Sequence, residues 1–323
     1  MGRHQREWAR NGQAVKPKII LDCDPGHDDA VAIMVAAQLT EILGITTVSG
    51  NVSVDLTTEN ALILAELVDL DAGVHMGANK PLLIPPKHAE EVHGKTGLDG
   101  PTRHKVTRQA TSSDAVQFII DTVREHDEVW LVPVGPLTNI AVAILQAPDI
   151  VQRVAGVSLM GGSAGAGNVT PVAEFNVWAD PHAASVVFSA GFANLFMAGL
   201  NLTHQFGVDE ETILRLREIN NPPAVFAAEL FDFYLRSYQQ RTFGQQVPLH
   251  DPCAVLAITH PEIFSFESRN VSVETEGIVT RGMTVIDERR WSDRASNCQV
   301  GYEIDRDKGM NILFDVIKTY SDN

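Results

Sequence analysis

Cysteine is scarce: Cys23, Cys253 and Cys298 are the three in 323 residues. They are too few and too scattered for a disulfide framework or a structural zinc site. Cys23 and Cys253 each sit beside an acidic residue, the pattern of small buried side chains in a reducing compartment. Basic residues are also short, with 25 lysines and arginines against 41 acids and a formal charge of -16. That excludes a nucleic-acid backbone as partner, because phosphate contacts need a basic footprint. It leaves room for a nucleoside, which carries no phosphate. No stretch approaches the ~20 apolar residues of a membrane span, so no membrane partner is expected. The residues before Lys18 are polar and lack the apolar core of a signal peptide. They predict a flexible tail over residues 1–16 ahead of one domain over 17–323, in a cytoplasmic protein.

What is present is a regular alternation. Apolar runs at Lys18 to Leu21, Ile42 to Val48, Glu128 to Val134, Val154 to Met160 and Ala193 to Met197 predict strands. Helical patterns fall between and after them, at Asp28 to Leu39, Val54 to Val68, Asp114 to Arg124, Leu137 to Gln146, Pro181 to Ala190 and Ala224 to Gln239. Such alternation predicts an α/β fold with a single open, mainly parallel sheet flanked by helices. Two Pro/Gly-rich stretches break the rhythm, Gly77 to Thr102 and Gly161 to Pro171. Long loops in compact domains tend to be functional. The region after Gln239 departs from the alternation and is expected to form a separate edge.

The densest chemistry lies at the first predicted strand-to-helix junction. Asp22, Asp24, Asp28 and Asp29 fall within eight residues. Open α/β sheets bind ligands at such strand ends. Carboxylates gathered there resist ionising together unless a cation or hydrogen-bond donors offset the charge, and hard divalent cations take oxygen ligands of this type. Helix capping by Asp28 and a dipole contact from Asp29 account for two of the four acids and leave Asp22 and Asp24 without a reason. Further along, Gly135-Pro-Leu-Thr-Asn139 follows an apolar strand whose last carbonyls can face a hard cation. Met160-Gly-Gly leads to Asn168 … Glu174-Phe-Asn176, amides and a carboxylate suited to vicinal hydroxyls, each of which wants a donor and an acceptor. His250-Asp251-Pro252 opens another helical run and offers an imidazole beside a carboxylate.

Taken together, these residues resemble the inosine-uridine type nucleoside hydrolases, which cleave the N-glycosidic bond of ribonucleosides. The resemblance runs from Pro17 onward. It is carried by Asp22-Cys-Asp-Pro-Gly-His-Asp-Asp-Ala30, Gly50-Asn51, Val92-His93-Gly94, Gly135-Pro-Leu-Thr-Asn-Ile140, Gly167-Asn-Val-Thr-Pro-Val-Ala-Glu-Phe-Asn176 and His250-Asp-Pro252. It implies a Ca2+ ion held by Asp24, Asp29, Asp251 and the backbone carbonyl of Val134, a position where the family often has Thr. Asp24 is then the general base toward a metal-bound water, and Asp28 holds ribose hydroxyls. Asn51, Asn168, Glu174 and Asn176 complete the sugar pocket, with Met160 also on the substrate side. His250 gives a proton to the leaving base, Tyr238 corresponds to a base-side tyrosine, and His93 closes over the base from a mobile loop. The resemblance also implies a homodimer or homotetramer.

The chemistry agrees with that assignment. Breaking an N-glycosidic bond builds positive charge on the ribose, which nearby carboxylates stabilise. A bound ion lowers the pKa of its water, and the base leaves more easily when protonated. A phosphatase of the haloacid dehalogenase type is the nearest alternative enzyme. It too begins strand-Asp-X-Asp, but wants Thr or Val beyond the second Asp, where this chain has Pro-Gly-His-Asp-Asp. An EF-hand fails because the flanks read strand then helix. An inactive nucleoside-binding protein would require the loss of Asp24 or Asp251, and both are present.

Overall fold

Eight strands form one sheet in the structure, a computed structural model that describes residues 16–240 and 245–320. They are β1 (Lys18–Cys23), β2 (Glu41–Thr47), β3 (Gly73–Met76), β4 (Val129–Pro133), β5 (Gly156–Met160), β6 (Leu195–Ala198), β7 (Phe264–Arg269) and β8 (Cys298–Ile304). Their order is β3-β2-β1-β4-β5-β6-β8-β7. Every neighbouring pair is parallel except β7 with β8. The expected open, mainly parallel α/β sheet is present. The tail expected over 1–16 falls, apart from Lys16, outside the described residues.

This order places a topological switch at the centre. The chain starts on β1, steps outward through β2 and β3, then crosses back to β4 on the other flank of β1. Successive connections therefore leave the sheet on opposite sides at the carboxyl ends of β1 and β4, opening a crevice there. Asp24 follows the end of β1 directly and Val134 follows β4. The motifs that looked separate in sequence converge on that crevice.

Burial explains why β1 needs no alternation. Ile19 to Cys23 are all buried, because helices cover both faces of the sheet. The helix after it, His27–Leu39, is buried around its whole circumference from His27 to Ala36. It packs against the helices Pro252–Thr259, Pro222–Gln239 and Arg306–Lys318, as a helix apolar on all sides must. It stops at Thr40, whose N–H and Oγ1 both donate to the Ala36 carbonyl before the backbone turns extended.

The region after Gln239 does not stand apart. Its strands β7 and β8 complete one side of the main sheet. β7 reads Phe-Ser-Phe-Glu-Ser-Arg with exposed Ser265, Glu267 and Ser268, the charged and polar dress of an edge strand. The long stretch from Gly77 to Thr102 contains one helical turn, Glu90–His93. The polar amphipathic helices Glu210–Ile219 and Arg306–Lys318 also lie outside the elements expected from the sequence.

A core test follows. Ile33 is fully buried in the central helix, whereas Leu145 is 60% exposed. Ile33→Ala should lose about 2–5 kcal/mol in urea unfolding, and Leu145→Ala should stay within about 0.5 kcal/mol.

Candidate active site

The acidic motif is held open by short loops and backbone donors. Asp24 Oδ2 accepts the Asn51 N–H at 2.7 Å, and the Asp24 carbonyl accepts Asn51 Nδ2 at 3.0 Å. Gly50 and Gly135 flank the carboxylate so closely that a Cβ would lie 2.0 Å from Asp24 Oδ2 at the first and 2.4 Å from Oδ1 at the second. Both positions require glycine for this close approach. Asp29, in the first turn of the helix, accepts the Gly26 N–H at 2.8 Å, the Asp24 N–H at 3.2 Å and Asn51 Nδ2 at 3.2 Å. Asp28 accepts the backbone N–H of His250, and Asp29 shares a hydrogen bond with Asp251. Asp22 points elsewhere: it accepts Thr46 Oγ1 at 2.6 Å and Asn139 Nδ2 at 2.7 Å, tying β1 to β2 and to the helix after β4.

These acids open into a cavity of about 520 Å3, within the size range of small-ligand sites. Asp24, Asp28 and Asp251 line it together with Asn51, His93, Val134, Met160, Asn168, Glu174, Asn176 and His250. Thus the structure gathers these sequence-selected residues on one cavity, from segments as far apart as residues 24 and 251. Glu174 caps the turn Phe175–Ala179, accepting N–H groups of Gly162, Asn176 and Val177. Asn176 Nδ2 donates to the carbonyls of Val134 at 2.8 Å and Met160 at 3.2 Å. Asn168 accepts the Phe175 N–H at 3.0 Å and stays exposed at the rim.

The opposite wall is aromatic. Tyr234 lines the cavity, and Tyr238 lies one turn further along the same helix, its ring centroid 6.5 Å from that of Tyr234. The periodicity of the helix was legible, but which tyrosine faces inward depends on how it docks. His27, within the acidic motif, had no role in the sequence reading. It is fully buried, stacked on His93, Phe233 and Tyr234, and its Nε2 donates to the Asp99 carbonyl at 2.9 Å. His93 Nδ1 lies 3.0 Å from His27 Nδ1. With the Ala89 N–H bonded to Asn51 O, this contact holds the segment carrying His93 in against the site. Lys87, Glu91 and Trp178 also line the cavity; no motif pointed to them.

Burial without counter-charge governs the electrostatics. Burial first, then the Asp29 charge, pushes Asp28 up to about 8. Burial raises Asp29 to about 6 against the pull of its backbone donors. Asp24 and Asp251 are raised by burial and by neighbouring aspartates. Glu174 rises to about 7 through burial. Burial also lowers His250 to about 3, so its ring is neutral at physiological pH. Among the described residues, the largest influences on the four clustered aspartates are burial, one another and hydrogen-bond donors, with no lysine or arginine among them.

A hard divalent cation fits this donor set. Asp28, Asp29 and Asp251 each offer an oxygen within 4.8 Å of the others, and the Val134 carbonyl at the cavity keeps a second lone pair beyond its bond to Asn176. All of these donors are oxygen. In metal-free protein the raised carboxylates bind protons more tightly folded than unfolded. Their contribution is complete below the ordinary value of 3.8 and is lost as pH rises through about 6 to 8. Chelator-treated protein should therefore show a falling Tm between about pH 5 and about pH 8. Added calcium should restore Tm far more at the upper end, where protons no longer compete; equal recovery at both ends would exclude this cluster as the binding site.

Known proteins place the chain. The family profile described as inosine-uridine preferring nucleoside hydrolase matches residues 19–311. The pyrimidine-specific ribonucleoside hydrolase RihA of Shewanella sp. strain ANA-3 is 41% identical over 308 residues, covering 94% of this chain and 96% of that protein. RihA of Shewanella woodyi is 42% identical over 308 residues, 94% of this chain and 98% of its own. The solved structure of a purine-preferring ribonucleoside hydrolase from Gardnerella vaginalis matches with a TM-score of 0.88 at 32% identity, over 94% of this chain and 98% of that one. With the acidic cluster at the switch point and the amide-rich loop beside it, the chain belongs to the inosine-uridine preferring nucleoside hydrolase family and is a hydrolase of the N-glycosidic bond of ribonucleosides.

Proposed function

We propose that the protein releases base and ribose from pyrimidine ribonucleosides in preference to purine ones, with Ca2+ held by Asp24, Asp29, Asp251 and the Val134 carbonyl. The observation that carries the reaction is the buried carboxylate cluster opening onto a cavity whose next wall is amides and Glu174. The pyrimidine preference is supported by the curated relatives at 41–42% identity, which are named for it. When bound, the cation supplies charge compensation to the cluster and lowers the pKa of water at the site.

The remaining work falls to the chain's own groups. Asp24 takes up the proton of the attacking water. Asp28, Asn168, Glu174 and Asn176 bind and orient the ribose hydroxyls, each hydroxyl meeting a donor and an acceptor. As the glycosidic bond breaks, positive charge develops on the ribose, and the anionic floor stabilises it in a site where field strength is high. On the base side, Tyr234, His93 and His250 form the wall, and the neutral His250 meets the base as a hydrogen-bonding group rather than as a standing cation. Three free, buried cysteines support a cytoplasmic setting. The family resemblance supports a homodimer or homotetramer.

Product analysis on uridine, cytidine, inosine and adenosine, with and without chelator, tests this reading. Uracil and cytosine should appear fastest and release should stop with chelator, calcium restoring it best. Faster release of hypoxanthine would reverse the pyrimidine assignment. Asp24→Asn should lower kcat by roughly 10²–10⁴-fold, the scale of a lost general base. A near-normal kcat in that variant would remove Asp24 from the role.

A further inference from the structure

His250 enters the cavity between the short strand Val247–Pro248 and the helix Pro252–Thr259. Its backbone N–H is held by Asp28, and its ring Nδ1 lies 2.7 Å from Thr203 Oγ1. Thr203 ends the helical turn Leu200–Thr203, just after β6, and is fully buried. It belongs to no motif used above. The ring of His204, 5.7 Å from that of His250, is the next group beside it.

A hydroxyl both donates and accepts, and a neutral imidazole nitrogen does one or the other according to tautomer. The surroundings of Thr203 decide the direction. A helical threonine commonly donates to the carbonyl one turn back. That carbonyl, Gly199 O, already accepts the N–H groups of Leu202 at 2.9 Å and Thr203 itself at 3.0 Å. Among the described residues, the one hydrogen-bond partner of Thr203 Oγ1 is His250 Nδ1. If Nδ1 carried a proton, as in the other neutral tautomer or in the imidazolium, the buried hydroxyl hydrogen would have no acceptor. An unmet buried donor costs more than an unfilled lone pair on the same oxygen. The hydroxyl therefore donates, Nδ1 accepts, and the ring proton resides on Nε2.

We infer that Thr203 is a positioning residue that fixes His250 as the Nε2–H tautomer, so that the imidazole meets the nucleobase as a hydrogen-bond donor. The acceptor it suits is a carbonyl oxygen or an unprotonated ring nitrogen of the base. Such an atom gains electron density when the bonding pair of the glycosidic bond moves onto the base. No proton need leave His250: a neutral imidazole that gave up Nε2–H would become an anion beside the aspartates, so the group acts by hydrogen bonding. The use made of this donor rests on the reaction proposed above; the tautomer does not.

Nitrogen-15 NMR of histidine-labelled protein, with His250→Gln to assign the resonance, reads the tautomer directly. The expected spectrum has a protonated Nε2 and an unprotonated, hydrogen-bonded Nδ1. Thr203→Val should move the Nδ1 resonance, and Thr203→Ser should restore it. A protonated Nδ1 in the unaltered protein overturns the inference. In kinetics, Thr203→Val should lower kcat on uridine about tenfold or more, and much less on p-nitrophenyl riboside, whose leaving group needs no donor. Thr203→Ser should recover most of the uridine rate. Equal losses on both substrates would make Thr203 a purely structural support. If the unaltered protein cleaves neither substrate, the reaction assigned above fails while the spectrum still decides the tautomer.

Discussion

Mutual repulsion among buried carboxylates is the constraint around which the molecule is arranged. Two unit charges within 4.8 Å of each other repel by at least about 3–4 kcal/mol at an effective dielectric of about 20. Three such pairs reach about 10 kcal/mol, comparable with the whole stability of an ordinary domain. Asp24, Asp28, Asp29 and Asp251 are all buried, so they cannot be charged together without compensation. The scaffold supplies part of it through backbone N–H groups at Gly26, Asp24, Asn51 and His250. A divalent cation held by these oxygen donors would supply the rest.

The sheet makes this concentration of charge possible at a definite place. Because β1 pairs with β2 on one side and, once the chain has crossed back, with β4 on the other, its carboxyl end is a point where loops diverge and leave a crevice. Asp22, pointing away from that crevice, braces it from beneath through Thr46 and Asn139. Asn176 joins the halves above: one amide donates to the Val134 carbonyl after β4 and to the Met160 carbonyl at the end of β5. A displacement of β4 relative to β5 would therefore disturb both of these hydrogen bonds at once.

The uneven legibility of the sequence has a physical basis. β1 and the helix His27–Leu39 were readable because burial on all sides leaves an uninterrupted apolar run. β7, with charges on an exposed edge, and the four-residue β3 carry no such run; their pairing partners define them instead. The acidic motif declared itself because its charge density has no cheap structural excuse. Tyr234, His27 and Thr203 did not, since a tyrosine on a helix, a histidine at a helix start and a threonine in a short turn are ordinary until docking shows what they face. The family resemblance pointed to Tyr238; in the structure Tyr234, one turn earlier on the same helix, lines the cavity.

On the proposed placement of sugar and base, the reaction sets what charge each end of the cavity should carry. N-glycosidic cleavage separates charge, positive on the ribose and negative on the base. An anionic floor under the sugar lowers the barrier through the first of these, but would raise it through the second if it extended beneath the base. On the reading proposed above, the groups facing the base include neutral ones: burial keeps His250 uncharged, and Tyr234 is held further from ionisation by burial and by the neighbouring aspartates. A cationic histidine at that wall would pair with the floor and weaken its field at the ribose. A neutral N–H stabilises the departing base without cancelling the charge that stabilises the sugar, so keeping the imidazole neutral and correctly protonated serves both halves of the same bond cleavage.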